Sequence, residues 1–254
     1  NDAPMASTHT WVDAATNGGA TCGLLRDEGA INPANAVDAE CWGQRFGSGT
    51  ANATHYNIST DLIGPVTWEK IALGSDFGMA LVKSATQRKI VTWGASRSGQ
   101  LGSGVARQNA VGILDVPSDA MDVSLAPAGA DGHHACVAWQ NPATIKCWGQ
   151  NNQGQAGLPV NNPAVAPVND IVLPGGATAR SIVAAADHTC ALTAGSPGRV
   201  YCWGSPGEMG MQGNQISLGQ VPVEFAVSAN NWTLLATGRH HTCVASAGTS
   251  TVPA

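Results

Sequence analysis

Charge is scarce in this sequence. Asp, Glu, Lys and Arg make up only 11% of the 254 residues, and 12 basic against 17 acidic side chains leave a net charge of -5. A nucleic-acid binder needs a concentrated basic face, and 12 Lys and Arg spread along the whole chain do not supply one. Long apolar runs are missing too; none approaches the roughly 18 residues of a membrane-spanning helix. Long amphipathic periods are also absent, because Gly (31) and Pro (14) interrupt nearly every stretch. The opening Asn1-Asp2-Ala3-Pro4 offers neither an initiator Met nor a charged-then-apolar leader, so the expectation is a processed mature chain or a cut fragment. The chain also contains no Gly-x-Ser-x-Gly elbow, P-loop or His-Glu-x-x-His helix. These absences favour a protein without catalysis or cofactor.

What remains are short β-prone runs separated by turn residues, and they repeat. Cys41-Trp42-Gly43-Gln44, Thr92-Trp93-Gly94-Ala95, Cys147-Trp148-Gly149-Gln150 and Cys202-Trp203-Gly204-Ser205 recur at intervals of 51, 55 and 55 residues. A second element precedes each, beginning at Ala20, Phe77, His134 and His188, with a fifth copy at His241. A third lies further upstream, clearest from Trp68 to Asp76, from Arg180 to Asp187 and from Asn231 to His240. Gly-rich turns follow Trp-Gly at Ser96 to Gly102 and Asn151 to Gly157. A unit of several short strands with a period near 50 cannot bury its apolar face alone, so neighbours must stack as propeller blades. The expected units are about 1–66, 67–120, 121–178, 179–230 and a partial 231–254, all within one all-β propeller domain, 1–254.

These elements resemble the repeat of the regulator of chromosome condensation family: an apolar strand, Gly-x-x-His-Thr-x-Ala-Leu, Trp-Gly and Gly-Gln-x-Gly. The likeness covers nearly the whole chain. Unit two departs from it with Gly78 and Met79 where others have Thr and Cys. The resemblance implies a ring of blades, usually seven. This chain holds fewer than five full units, so an incomplete ring is expected.

The cysteines follow the repeat. Ala191-Leu192-Thr193 and Arg199-Val200-Tyr201 flank a turn of Gly, Ser and Pro, which makes a hairpin. Directly opposite positions on such a hairpin approach to about 4.5–5.5 Å between Cβ atoms, near disulfide range. Cys190 thus pairs with Cys202, and the same logic pairs Cys22 with Cys41 and Cys136 with Cys147. Unit two has lost both positions together, to Met79 and Thr92, as a bond predicts. Buried free thiols are the alternative; zinc would want four ligands where each blade offers two. Disulfides imply an oxidising compartment, outside the cell or in a secretory lumen. Cys243 is the odd seventh cysteine, unpaired or intermolecular. By the repeat its partner would fall past Ala254, so a longer polypeptide or a covering second chain is expected.

Other candidates have plain readings. Asn52, Asn57 and Asn231 sit in Asn-x-Ser/Thr sequons and are glycosylation candidates. His134, His188 and His241 share one repeat position; spread around a ring they do not converge on a metal, and the expectation is a hydrogen bond to backbone within each blade. Trp42, Trp93, Trp148 and Trp203, with Trp11, Trp68 and Trp232, read as blade core, whereas Trp139 breaks phase and reads as a surface contact. Asp76 and Asp187 read as turn residues. Recognition is expected in the loops Asn52 to Pro65, Val105 to Ala120 and Pro159 to Ala177.

Branches of the resembled family differ by compartment. Its nuclear members act as exchange factors on a small GTPase and bind chromatin, which the missing basic patches and the paired cysteines oppose. Secreted bacterial members include enzyme inhibitors. The extracellular repeats of crinkly-type plant receptor kinases carry the most similar Cys to Cys-Trp-Gly hairpins. The expectation is therefore a non-enzymatic extracellular interaction or structural module, part of a larger secreted or cell-surface glycoprotein. Its partner would be a protein, a glycan or a further copy of itself. A sugar-binding or enzyme-inhibiting propeller is the alternative.

Overall fold

A computed structural model of the chain describes residues 9–17, 19–27, 38–43, 53–57, 66–85, 87–102, 112–115, 120–125, 133–141, 143–160, 166, 170–207, 221–225 and 231–246. Among these residues regular structure is almost entirely β-strand, with one 3-10 turn at Pro174–Gly176. The strands form five antiparallel sheets, each a meander in chain order.

Blade one contains β1 (His9–Thr16), β2 (Ala20–Asp27), β3 (Asp38–Gly43) and β4 (Ala53–Asn57). Blade two contains β5 (Thr67–Leu73), β6 (Phe77–Lys83), β7 (Arg88–Gly94) and β8 (Gly112–Asp115). Blade three has β9 (Ala120–Leu125), β10 (His134–Trp139) and β11 (Thr144–Gly149), and a single bridge from Ile145 to Ile171 stands where a fourth strand would lie. Blade four has β12 (Ala179–Ala184), β13 (His188–Thr193), β14 (Val200–Gly204) and the short β15 (Val223–Glu224). Blade five shows the hairpin of β16 (Trp232–Thr237) and β17 (Thr242–Ser246).

The second strand of each central blade explains the architecture. β6 has six buried residues in succession, and β10 and β13 are buried throughout. A strand buried on both faces requires cover on both sides. Successive blades provide it. One apolar cluster runs through Phe77 and Met79 of blade two, Val137 and Trp148 of blade three, and Ile182 and Trp203 of blade four. The first strands also meet, blade against blade, through polar bonds. Lys70 in β5 pairs with Asp122 in β9, whose other carboxylate oxygen accepts the Ile182 N–H of β12 at 2.8 Å. The Ser124 hydroxyl of β9 accepts the Ala184 N–H of β12 at 3.0 Å.

Register delivers the cysteines. Cys22 lies opposite Cys41, Cys136 opposite Cys147 and Cys190 opposite Cys202, with Cα separations of 4.0, 4.1 and 4.1 Å, and all three pairs are bonded. In blade two Met79 lies opposite Thr92, both fully buried, and the Thr92 hydroxyl donates to the Leu101 carbonyl at 3.1 Å. The Trp-Gly step has a backbone cause. Gly149 and Gly204 adopt φ of 104° and 108°, and a Cβ at either would overlap the carbonyl oxygen of His133 or Asp187. Only glycine holds that conformation without strain.

Candidate functional site

The repeated His, Thr, Trp and Gln turn out to be one network that crosses between blades. His134 of blade three brings Nε2 within 2.8 Å of the Thr189 hydroxyl of blade four. That hydroxyl donates its single proton to the Gln155 carbonyl at 2.9 Å, so His134 must be the donor to it. The same carbonyl accepts the Trp203 indole N–H of blade four at 2.9 Å. The Gly-rich turn of one blade therefore anchors both the Thr and the Trp of the next. The pattern recurs on either side: Trp148 Nε1 donates to the Gln100 carbonyl of blade two at 2.8 Å, and His188 Nε2 lies 2.7 Å from the Thr242 hydroxyl of blade five.

This corrects the expectation that each histidine bonds backbone within its own blade. The reason is geometric: position one of β10 and β13 faces the neighbouring sheet, and a side-chain hydroxyl lies there. Residues exchange in pairs along the series. Where blade two has Phe77 in place of His, blade three has Ala135 in place of Thr, and both are fully buried. Blades one and two likewise carry Ala20 and Gly78.

The electrostatics follow from the tautomer. Donation through Nε2 leaves the His134 Nδ1 lone pair buried without a partner. Protonation would put a charged N–H in that dry position. Burial, with His188 and His133 nearby, pushes the His134 pKa down to about 3.

A second polar cluster joins blades two and three. The Ser75 hydroxyl is 2.9 Å from His133 Nδ1, Asp76 Oδ1 is 3.4 Å from the same nitrogen, and Arg97 Nε reaches Asp76 Oδ2 at 3.1 Å. Ser, His and Asp invite comparison with an acyl-transfer triad. A triad needs the hydroxyl and the carboxylate on opposite ring nitrogens, so that the imidazole can relay a proton. Here both approach Nδ1, and Gln100 also donates to Asp76 at 3.4 Å. The cluster is a clasp between blades. Burial raises the Asp76 pKa, but the His133 hydrogen bond and charge, the Arg97 charge and the Ser75 hydrogen bond together hold it below the usual carboxylate range. Asp76 is thus more than the turn residue expected. Its repeat counterpart Asp187 takes a turn role through its carbonyl, which accepts the Ser205 N–H at 2.8 Å.

Among the other candidates, Trp139 is a correction. It is only 2% exposed, with the Lys146 ammonium 6.0 Å from its ring centroid, because the end of β10 lies between β9 and β11. Trp11 departs the other way: it is 39% exposed, packs edge-on to Trp42 at 5.3 Å and lies over Gly23, where a Cβ would overlap its ring. Trp68, Trp93, Trp148 and Trp203 are buried, and Trp232 is half-buried. Asn231 is exposed, and its Oδ1 accepts the Gly198 N–H at 2.7 Å. Asn57 closes β4 opposite Glu40, and Asn52 lies outside the described residues. Of the loop from Pro159 to Ala177, Val160 and Val172 are exposed while Ile171 and Leu173 are buried; much of the other two loops lies outside the described residues. Cys243 is free and exposed. Among the described residues no three His, Cys, Asp or Glu side chains gather as metal ligands, and no helix is long and apolar enough to cross a membrane.

Comparison with solved structures gives the class. Human WBSCR16 is similar at a TM-score of 0.74 and 15% identity, over 94% of this chain and 60% of that one. Prp20p from Saccharomyces cerevisiae, studied for its binding to Gsp1p and histones, is similar at 0.73 and 17%, over 96% and 57%. The CRINKLY WD40 ectodomain of the Arabidopsis thaliana receptor kinase ACR4 is similar at 0.54 and 18%, over 97% and 65%. The chain is an all-β propeller. More particularly, its blades have the fold of the RCC1-like repeat, shared with yeast RCC1 (Prp20). It spans somewhat more than half to about two thirds of the length of these structures. No protein-family model matches it.

Proposed function

We propose that the chain is a non-enzymatic extracellular interaction or structural module, part of a larger secreted or cell-surface glycoprotein, whose partner is a protein or a further copy of itself. The observation that carries this reading is the set of three hairpin disulfides, one in each of blades one, three and four. Such bonds persist where thiols are not kept reduced. The likeness to a receptor-kinase ectodomain supports the same compartment. The Ser75–Asp76–His133 arrangement argues against acyl transfer, and the scarcity of basic residues argues against chromatin. Blades with limits near residues 66, 120, 178 and 230, and sugars on Asn52, Asn57 and Asn231, belong to the proposal.

The test is non-reducing peptide mapping of protein from its native source, alkylated at lysis. Three intact pairs, with Cys243 alone or joined to another chain, are expected. Finding these cysteines free would overturn the extracellular assignment. One observation favours sugar binding as a second reading: Trp11, exposed beside Trp42, offers an aromatic surface. A glycan array on wild type and Trp11→Ala separates the two.

A further inference from the structure

Asn17 differs from its repeat counterparts. It opens the tight turn between β1 and β2, where its backbone N–H donates to the Ala20 carbonyl at 3.0 Å. Gly74, Ala185 and Gly238 make the same bond to Phe77, His188 and His241 in blades two, four and five. None of those three has a polar side chain, whereas blade one places a carboxamide at this point. The residue is only 5% exposed, and both polar atoms of its amide are engaged. Oδ1 accepts the Gly19 and Ala20 N–H groups at 3.1 and 2.7 Å, which closes the turn. Nδ2 crosses to blade two and donates to the carbonyls of Gly74 and Ser75, the second at 3.3 Å. Ala20 and Gly78 deny this junction the histidine–threonine bond of later blades, and the Asn17 amide supplies polar bonds across it instead.

The same residue precedes Gly18, and the two form the chain's single Asn-Gly pair. A glycine after asparagine has no Cβ to hinder its nitrogen from reaching the asparagine Cγ. In that reaction the Gly18 nitrogen bonds to Asn17 Cγ and gives up its proton, and Nδ2 takes a proton and leaves as ammonia. Water then opens the succinimide at either carbonyl, giving aspartate or isoaspartate. One water is consumed and one ammonia released, so no further reactant is needed. With Oδ1 and Nδ2 both bonded, the side chain is not free to rotate into this reaction; opening of the junction frees it. The product does not fit back. A carboxylate has no proton to donate, and it would set negative charge against the Gly74 and Ser75 carbonyl oxygens.

We propose that Asn17 is a deamidation site gated by the junction of blades one and two. While the junction is closed the amide is protected. Once it opens the amide converts, and the converted chain cannot re-form the clasp. The junction thus carries a one-way chemical record of having opened. This goes beyond the interaction-module reading and does not depend on it.

The experiment incubates the oxidised 254-residue protein in mildly alkaline buffer, with and without denaturing urea. Residue 17 is followed by peptide mass spectrometry with electron-transfer fragmentation, which tells isoaspartate from aspartate. Asn17 should convert in urea and convert about tenfold or more slowly in the folded protein, because only the opened junction reacts. Gly18→Ala should slow conversion in urea, as a Cβ at that position hinders the attack. Asn17→Asp should melt about 3 °C or more below wild type, for the lost donors and the added charge. If that variant does not fold, wild type converted briefly in urea and returned to buffer gives the same comparison, its converted fraction separated by the extra negative charge. Equal rates with and without urea, no conversion in urea, or a converted chain that melts with wild type would each overturn the proposal.

Discussion

The neutral, buried His134 makes the propeller sensitive to mild acid. In the unfolded chain this imidazole titrates near 6.5, whereas in the fold its pKa is about 3. Below 6.5 the unfolded state binds a proton that the folded state refuses, so stability is complete above that pH and drains as pH falls toward 3. At about 1.36 kcal/mol per pH unit, the loss is about 2 kcal/mol at pH 5 and about 4 kcal/mol at pH 3. That is comparable with the whole stability of many domains. The assay is urea unfolding followed by tryptophan fluorescence, at half-unit steps from pH 7.5 to 4.5. The comparison variant is His134→Gln, whose amide can still donate to Thr189 but does not titrate. Wild type should lose about 2 kcal/mol more than the variant between pH 7 and 5. The Asp76 clasp does not interfere. Its lowered pKa gives stability that is present above about 3.8 and lost only as pH falls through the folded value. Parallel curves for wild type and His134→Gln over pH 7 to 5 would refute the buried tautomer.

Three further outcomes follow from packing. Trp203→Ala should cost about 3–5 kcal/mol in chemical denaturation, and Trp203→Phe about 1–2, the second reporting loss of the indole N–H bond to a Gln155 carbonyl that still accepts the Thr189 hydroxyl. Gly204→Ala should lower stability by about 1–3 kcal/mol or more for its left-handed backbone, whereas Gly207→Ala, whose Cβ would meet open space, should leave the melting temperature nearly unchanged. Replacing Cys190 and Cys202 together by the Met and Thr of blade two should remove about 3 kcal/mol, the stabilisation expected of a bridge spanning 12 residues; an unaltered unfolding midpoint would count against that bond as a stabiliser.

The blades were legible because their signals are local. Cys190 and Cys202 face each other through a hairpin whose turn residues are visible in the chain, and Met79 with Thr92 marks the same geometry by joint loss. The histidine network was not legible from a single unit, since His134 and Thr189 are 55 residues apart and nothing within either blade couples them. The signal nevertheless existed. Reading Phe77 against Ala135, one repeat later and one position on, exposes the same kind of joint replacement. Trp139 misled for a different reason. Its phase differs from the other tryptophans, but phase reports position in the repeat, and Trp139 is buried at the end of β10 between β9 and β11, with the Lys146 ammonium near its ring. The exposure of Trp11 and His241 depends on what neighbours their blades, which repeat position does not specify.

The pairing across junctions also governs how such a chain can lengthen. Blade four receives through Thr189 and gives through His188, so a tandem duplicate of it would satisfy its own copy without further change. Blade three receives at Ala135 and gives through His134; duplicated, it would bury an imidazole N–H against a methyl group. Gene duplication is therefore open to blade four in a single step, while blade three must acquire a second, matching substitution first. The junction residues act as a grammar for the order of blades, and they restrict which insertions can be inherited as folded proteins.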